Sequence, residues 1–195
     1  MNEVSALSLP PQRLPLRVSD VDMLYKRGAF AEYGRVELIE GELLYMNAEY
    51  RPHMFVKSEF AYRVRRAVEA LGSALFVGIE GSVALSEHDL PQPDIILTSA
   101  AYGEGPVPGA SVALAIEVSD TTTEFDLGRK LRIYAQGGIP EYWVLDLAER
   151  VVHQMATPTH ADFATQRHIP FGKPITSLTI PGLTVPTDRL RVPDA

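Results

Sequence analysis

The feature that restricts this chain most is a pair of β-type runs, PDIILT over 93–98 and VALAIEV over 112–118, each holding one acid among apolar residues. The segment AYGEGPVPG between them has the glycines and prolines of a chain reversal, so the runs are expected to pair as an antiparallel hairpin. The start of the first run then lies beside the end of the second. Asp94 and Glu117 become neighbours, and their midpoint falls between residues 105 and 106, inside the loop. A carboxylate in apolar surroundings is costly unless it is paired or binds a metal. Two that meet at one sheet end repel, and a divalent cation relieves the repulsion. Oxygen ligands suit Mg²⁺, or Mn²⁺ in its place. The alternative makes Asp94 a turn residue after Pro93 and gives Glu117 an arginine partner.

The rest of the chain reads as a mixed α/β sheet flanked by helices. Ser19 and Asp22 suggest a helix near 20–27 that stops at Gly28, and VELIEGELLYM reads as a tight hairpin over 35–46 around Glu40-Gly41. From His53 to Leu71 the residues Phe60, Ala61, Val64, Val68 and Leu71 recur at helical spacing, with Gly72 as the stop and Arg63, Arg65 and Arg66 on other faces. ALFVGIEGSVAL over 74–85 is a strand interrupted near Gly78 to Gly81. Thr123 and Asp126 open a helix to about Gln136, Gly137-Gly138 end it, EYWVLD is a strand, and 150–185 is expected to finish the sheet as edge strands. With 195 residues and 46% hydrophobic content, a single domain over 18–195 is expected, preceded by a Pro- and Leu-rich arm at 1–17.

Composition narrows the chemistry. The absence of cysteine excludes disulfides, thiolate metal sites and cysteine nucleophiles. A balance of 18 Lys and Arg against 25 Asp and Glu gives a net charge of −7, the wrong sign for binding nucleic acid by bulk electrostatics. A nucleic-acid partner therefore requires a local basic surface. The N-terminus lacks the order of a signal peptide and no apolar run is long enough to span a bilayer, so a cytoplasmic protein without membrane contact is expected. His88, His153, His160 and His168 form no HxxxH or HxH pair, and no P-loop, GxGxxG or GxSxG is present.

Lys130 lies one to two turns into the helix after Glu117, where a long side chain can reach back to the strand end and position water or stabilise a phosphorane. A solvated helix lysine is the alternative. His53 and Lys57, four apart and in line with Phe60, Val64 and Val68, should point inward and suit an anion or a metal-bound water. A helix-terminal histidine bonded to backbone explains His53 equally well. Glu37 and Glu42 are candidate further acids, and ordinary surface charge explains at least one of them. Tyr142 and Trp143 read as core, Asp146 as a turn residue and Tyr134 as packing.

VELIEGELL, a helix opened by His53, QPDIIL, and AIEVSDTTTEFDLGRKLRIYAQGGIPEYWVLD, in that order, resemble the Uma2 endonuclease family, a branch of the restriction-endonuclease-like PD-(D/E)XK superfamily. The resemblance covers about 35–152 and is most specific from Glu117 to Asp146. It implies a restriction-endonuclease-like fold, metal binding by Asp94 and Glu117, DNA as substrate, and a homodimer of the kind many such nucleases form. The superfamily's lysine two residues after the second acid is replaced here by Ser119, and Uma2 members are similar in this respect, which makes Lys130 the substitute. The expected function is metal-dependent hydrolysis of DNA phosphodiester bonds by Asp94, Glu117 and Lys130. The alternatives are an inactive nuclease-fold module that binds nucleic acid or protein and, behind it, a hydrolase of small phosphoesters.

Overall fold

The computed structural model describes residues 13–46 and 50–190. Most of the expected N-terminal arm lies outside the described residues, but its last part runs along the following hairpin, where the Leu16 amide donates to the Gly41 carbonyl at 2.9 Å. Helix α1 (Val18–Lys26) starts earlier than its expected box, because Asp20 rather than Asp22 caps it and accepts from the Arg17 amide at 2.8 Å. Asp22 instead pairs with Lys26 at 2.6 Å. Strands β1 (Val36–Ile39) and β2 (Glu42–Tyr45) form the hairpin, with Glu40 at φ 52° and Gly41 at φ 75° turning the chain. Glycine is required at position 41 twice over, since a Cβ would sit 2.5 Å from that of Pro15.

Helix α2 (Arg51–Ala70) follows, with Pro52 in its first turn and Val56, Phe60, Ala61, Val64 and Val68 as its buried stripe. The next run is divided as the glycines suggest, into β3 (Phe76–Ile79) and the short β4 (Val83–Ala84). Strand β5 (Ile95–Thr98) then leads through β6 (Val107–Pro108), which pairs with β4, to β7 (Val112–Ser119). The register of β5 on β7 sets Ile95 against Ile116 and Ile96 against Ala115, so Asp94 and Glu117 stand on adjacent strands at one end.

The helical stretch after β7 is not uniform. It comprises α3 (Thr123–Phe125), a π-helical segment (Asp126–Lys130) and α4 (Leu131–Gln136). Strand β8 (Glu141–Asp146) lies parallel to β7, as expected for a crossover through a helix. β9 (Val151–Pro158) and β10 (Phe163–Pro170) complete a sheet of order β10-β9-β8-β7-β5-β3. The remaining tail departs from expectation: β11 (Ile175–Thr176) and β12 (Thr184–Val185) form a separate ribbon.

That ribbon closes the core. Ile175, Leu183, Val185 and Leu190 pack with Phe60 and Val64 of α2 and with Ile116 and Trp143 of the sheet. On the other sheet face Tyr134, Ala135 and Leu131 pack with Ala115, Tyr142 and Val144. The result is a mixed sheet with a helix on each side, the restriction-endonuclease-like arrangement. Among the described residues no helix is long and apolar enough to cross a membrane.

The ribbon is anchored by Glu141, fully buried at the start of β8. Its carboxylate accepts from Trp143 Nε1 at 2.6 Å, Gln154 Nε2 at 2.7 Å, Ser177 Oγ at 2.6 Å, the Leu178 amide at 3.0 Å and Thr179 Oγ1 at 2.8 Å. Removing it strands these donors together. Glu141→Ala should cost about 3 kcal/mol or more, measured by urea denaturation, whereas a loss below about 1 kcal/mol would show that the ribbon is held by apolar packing alone.

Candidate active site

Asp94 and Glu117 meet through their own strands. The Val118 amide donates to Asp94 Oδ2 at 2.8 Å, and the Asp94 amide makes a long contact with Glu117 Oε2 at 3.4 Å. Glu117 shares its strand face with Ala115, so its carboxylate projects toward the helical stretch that covers that face. There Lys130 Nζ donates to Glu117 Oε1 at 2.9 Å and lies 3.1 Å from Glu37 Oε2, with Asp126 Oδ1 at 3.9 Å. Tyr134 Oη donates to Glu117 Oε1 at 2.8 Å, so this tyrosine, expected only to pack, also bonds an acid of the pair. Lys130 is a core residue, 1% exposed.

On the other side of Asp94 the groups come from the residue before β1 and from α2. Arg35 Nη1 donates to Asp94 Oδ1 at 3.1 Å, His53 Nε2 lies 3.3 Å from Oδ2, and Lys57 Nζ lies 3.9 Å from Oδ1. Lys57 also holds Glu80 Oε1 at 2.5 Å. Glu37 is buried, accepting from Arg35 Nη2 at 3.2 Å and from the Gln92 amide at 3.1 Å. The structure thus draws together Asp94, Glu117, Lys130, His53, Lys57 and Glu37. It does not include Glu42, which stands at the turn end of its hairpin and pairs with Arg129 Nη1 at 3.1 Å and with Arg13.

Sequence reasoning passed over Arg35, Glu80 and Asp126. Arg35 precedes Glu37 by two positions and so shares its strand face, a signal that was present. Asp126 precedes Lys130 by one helical turn; Ser119 and Thr122 donate to its Oδ2, the latter at 2.6 Å. Its helix carries a π segment, a rare geometry that recurs at functional sites and has no simple sequence signature. Glu80 sits in the interruption between β3 and β4, where no periodicity marks it.

The electrostatics of the two acids diverge. Burial works to raise Asp94, but the bond to His53, the Arg35 guanidinium and the Val118 amide hold its carboxyl well below the usual carboxylate range. Burial dominates at Glu117, and with Asp94, Asp126 and Glu37 nearby the Lys130 ammonium does not compensate, so Glu117 is pushed up to about 8. Burial alone would lower Lys130, yet Glu117, Glu37 and Asp126 hold it above the ordinary lysine range. Glu117 therefore takes a proton near neutrality for want of a second positive charge, and a divalent cation is a fitting replacement. Among the described residues no group of three or more His, Asp or Glu is arranged to hold a metal by itself. The fitting centre is one with Asp94 and Glu117 as protein ligands and water in the remaining positions, a pattern that Mg²⁺ accepts.

Comparison with known proteins gives a family and a fold. A family model, Uma2, described as "Putative restriction endonuclease", matches residues 22–192. Among solved structures, one described as "a putative nuclease belonging to DUF820" from Anabaena variabilis ATCC 29413 superposes with a TM-score of 0.55 at 15% identity, covering 76% of this chain and 86% of that one. At that identity the likeness concerns the fold. No curated protein matches the chain.

Two outcomes follow from this charge arrangement. Lys130→Met leaves buried acids without their counter-charge and should cost about 3–5 kcal/mol in urea denaturation; a cost under about 1 kcal/mol would mean that the ammonium is not buried as described. In EDTA, the folded state retains the Glu117 proton to about 8 while the unfolded chain releases it near 4.5, so this group makes stability fall as pH rises through that window and leaves it level above. Thermal melts across the window should show a smaller decline in Glu117→Gln than in the wild type. An unchanged slope would contradict the elevated value.

Proposed function

The chain belongs to the Uma2 family, and from that premise we propose that it is a metal-dependent endonuclease that hydrolyses DNA phosphodiester bonds with Mg²⁺, or Mn²⁺, held by Asp94 and Glu117. Restriction-endonuclease-like proteins are generally dependent on a divalent metal. The observation that carries the reading is the facing of Asp94 and Glu117 from paired strands, one acid held below its usual range and the other above it for lack of a second cation.

The ion, when bound, supplies Lewis acidity at the phosphoryl oxygen and lowers the pKa of a water ligand. The chain's own residues fix the geometry. The Val118 amide and Arg35 set the orientation of Asp94, while Lys130 and Tyr134 hold Glu117 from behind through its Oε1. Because Lys130 is enclosed by Glu117, Glu37 and Asp126, its part in this scheme is to position Glu117 rather than to meet the substrate.

One observation favours a second reading, a nuclease-fold module without turnover. The superfamily's lysine position is Ser119, and its hydroxyl is bonded to Asp126. The two readings part cleanly. Purified protein incubated with plasmid and single-stranded DNA in Mg²⁺ or Mn²⁺ should cleave, and Asp94→Ala should reduce the rate by about 10²-fold or more. Absence of cleavage in both metals, or cleavage indifferent to Asp94→Ala, would leave the binding module as the surviving account.

A further inference from the structure

The cations around Asp94 fall into two classes by exposure. Lys130 and its acids form a closed interior group, with side chains 1% exposed for Lys130, 0% for Glu37 and 2% for Glu117. The group on the other side of Asp94 is less enclosed: the side chains of Lys57, His53, Arg35 and Glu80 are 8%, 13%, 17% and 43% exposed. Glu80 is the most exposed member of either group.

His53 and Lys57 from α2 and Arg35 from the segment before β1 converge there, and Glu80 is the anion that Lys57 and Arg35 already face. Its carboxylate lies 2.5 Å from Lys57 Nζ and 4.0 Å from Arg35 Nη1. The backbone is held to present it. Glu80 has φ 55°, a left-handed conformation unusual for a residue with a side chain; its amide donates to the Asp94 carbonyl at 3.1 Å, and its carbonyl accepts from Gln92 Nε2 at 2.6 Å. A half-exposed carboxylate is thus fixed over a basic cradle beside the metal-binding acids, in a chain whose net charge of −7 otherwise repels nucleic acid.

We infer that Lys57, with Arg35 and His53, is the site that binds a backbone phosphate of the nucleic acid, and that Glu80 is an internal anion which the phosphate displaces. This rests on the nuclease reading for the identity of the ligand. It assigns to Lys57 the substrate contact that family resemblance gives to Lys130. The exchange replaces one anion by another on the same cations, so the interior pairs are left intact, and the carboxylate surrendered, Glu80, is the partner already partly solvated. A phosphate also offers oxygens to the guanidinium and the ammonium together.

The test is the affinity of a fluorescein-labelled single-stranded DNA oligonucleotide, measured by anisotropy in EDTA across a salt series, which reads phosphate contacts without turnover. Lys57→Met should weaken binding and reduce the slope of log K against log salt by about 0.7, the value for one lost contact on a single strand. Glu80→Gln should tighten binding several-fold. Because the chain has no cysteine, Lys57→Cys can be alkylated selectively with 2-bromoethylamine, which restores an ammonium at this position and should restore the slope. An unchanged slope in Lys57→Met, a slope not restored by alkylation, or unchanged or weakened binding in Glu80→Gln would each overturn the proposal. The nuclease reading is tested apart from it: cleavage with unaltered oligonucleotide binding in these variants removes the cradle and leaves the nuclease, whereas the predicted binding changes without cleavage in Mg²⁺ or Mn²⁺ leave the cradle and remove the nuclease.

Discussion

The Lys130 ammonium, buried between Glu117 and Glu37, is the interaction on which the arrangement of this site depends. It joins the central strand, the N-terminal hairpin and the helical stretch over the sheet, elements far apart in sequence. Desolvating that charge is tolerable only because carboxylates surround it, and those carboxylates are tolerable only because it is there. The consequence is mutual fixation. Glu117 is held by Lys130 and Tyr134 through one oxygen, Asp94 by Arg35 and the Val118 amide, and their relative position follows from strand register rather than from flexible loops. A site on adjacent strands in a packed sheet is preorganised in the sense that ligand placement requires.

The same cluster separates structural charge from accessible charge. Acids and the ammonium under the sheet end complete one another, whereas the cations of α2 and the segment before β1 lie on the other side of Asp94, next to the partly exposed Glu80. That division is how an acidic protein can retain a place suited to a phosphate: a local cradle of Arg35, His53 and Lys57 lies beside Asp94. It also gives the displaced lysine a physical meaning. Lys130 orients Glu117 from within, and the lysine on the Glu80 side of Asp94 is Lys57, which starts from a different helix.

Much of this was legible in the sequence for reasons that can be named. The meeting of Asp94 and Glu117 followed from a symmetric pair of apolar runs about a Gly and Pro loop, because strand alternation leaves few registers that bury both runs. The inward turn of His53 and Lys57 followed from helical spacing. What was missed depended on tertiary placement. Glu42 and Glu37 lie on one hairpin with similar sequence surroundings, yet only Glu37 is at the end that docks beneath the sheet; Glu42 is drawn off by Arg129. Glu80 lies in a turn without periodicity, and the π segment at Asp126–Lys130 arises from packing that propensity does not encode. The β11–β12 ribbon read as edge strands because its composition is β-prone, but Glu141 and the apolar face of α2 hold it across the core instead.

The central claim is that Asp94 and Glu117 form a centre in which a divalent cation takes the place of the proton on Glu117. Calorimetric titration of Mg²⁺ and Mn²⁺ near pH 7, repeated in buffers of different ionisation enthalpy, measures binding and proton release together. With Glu117 pushed up to about 8, binding should be saturable and release about one proton, and Glu117→Gln should abolish the release. Saturable binding without proton release, or no binding of either ion, would contradict the account.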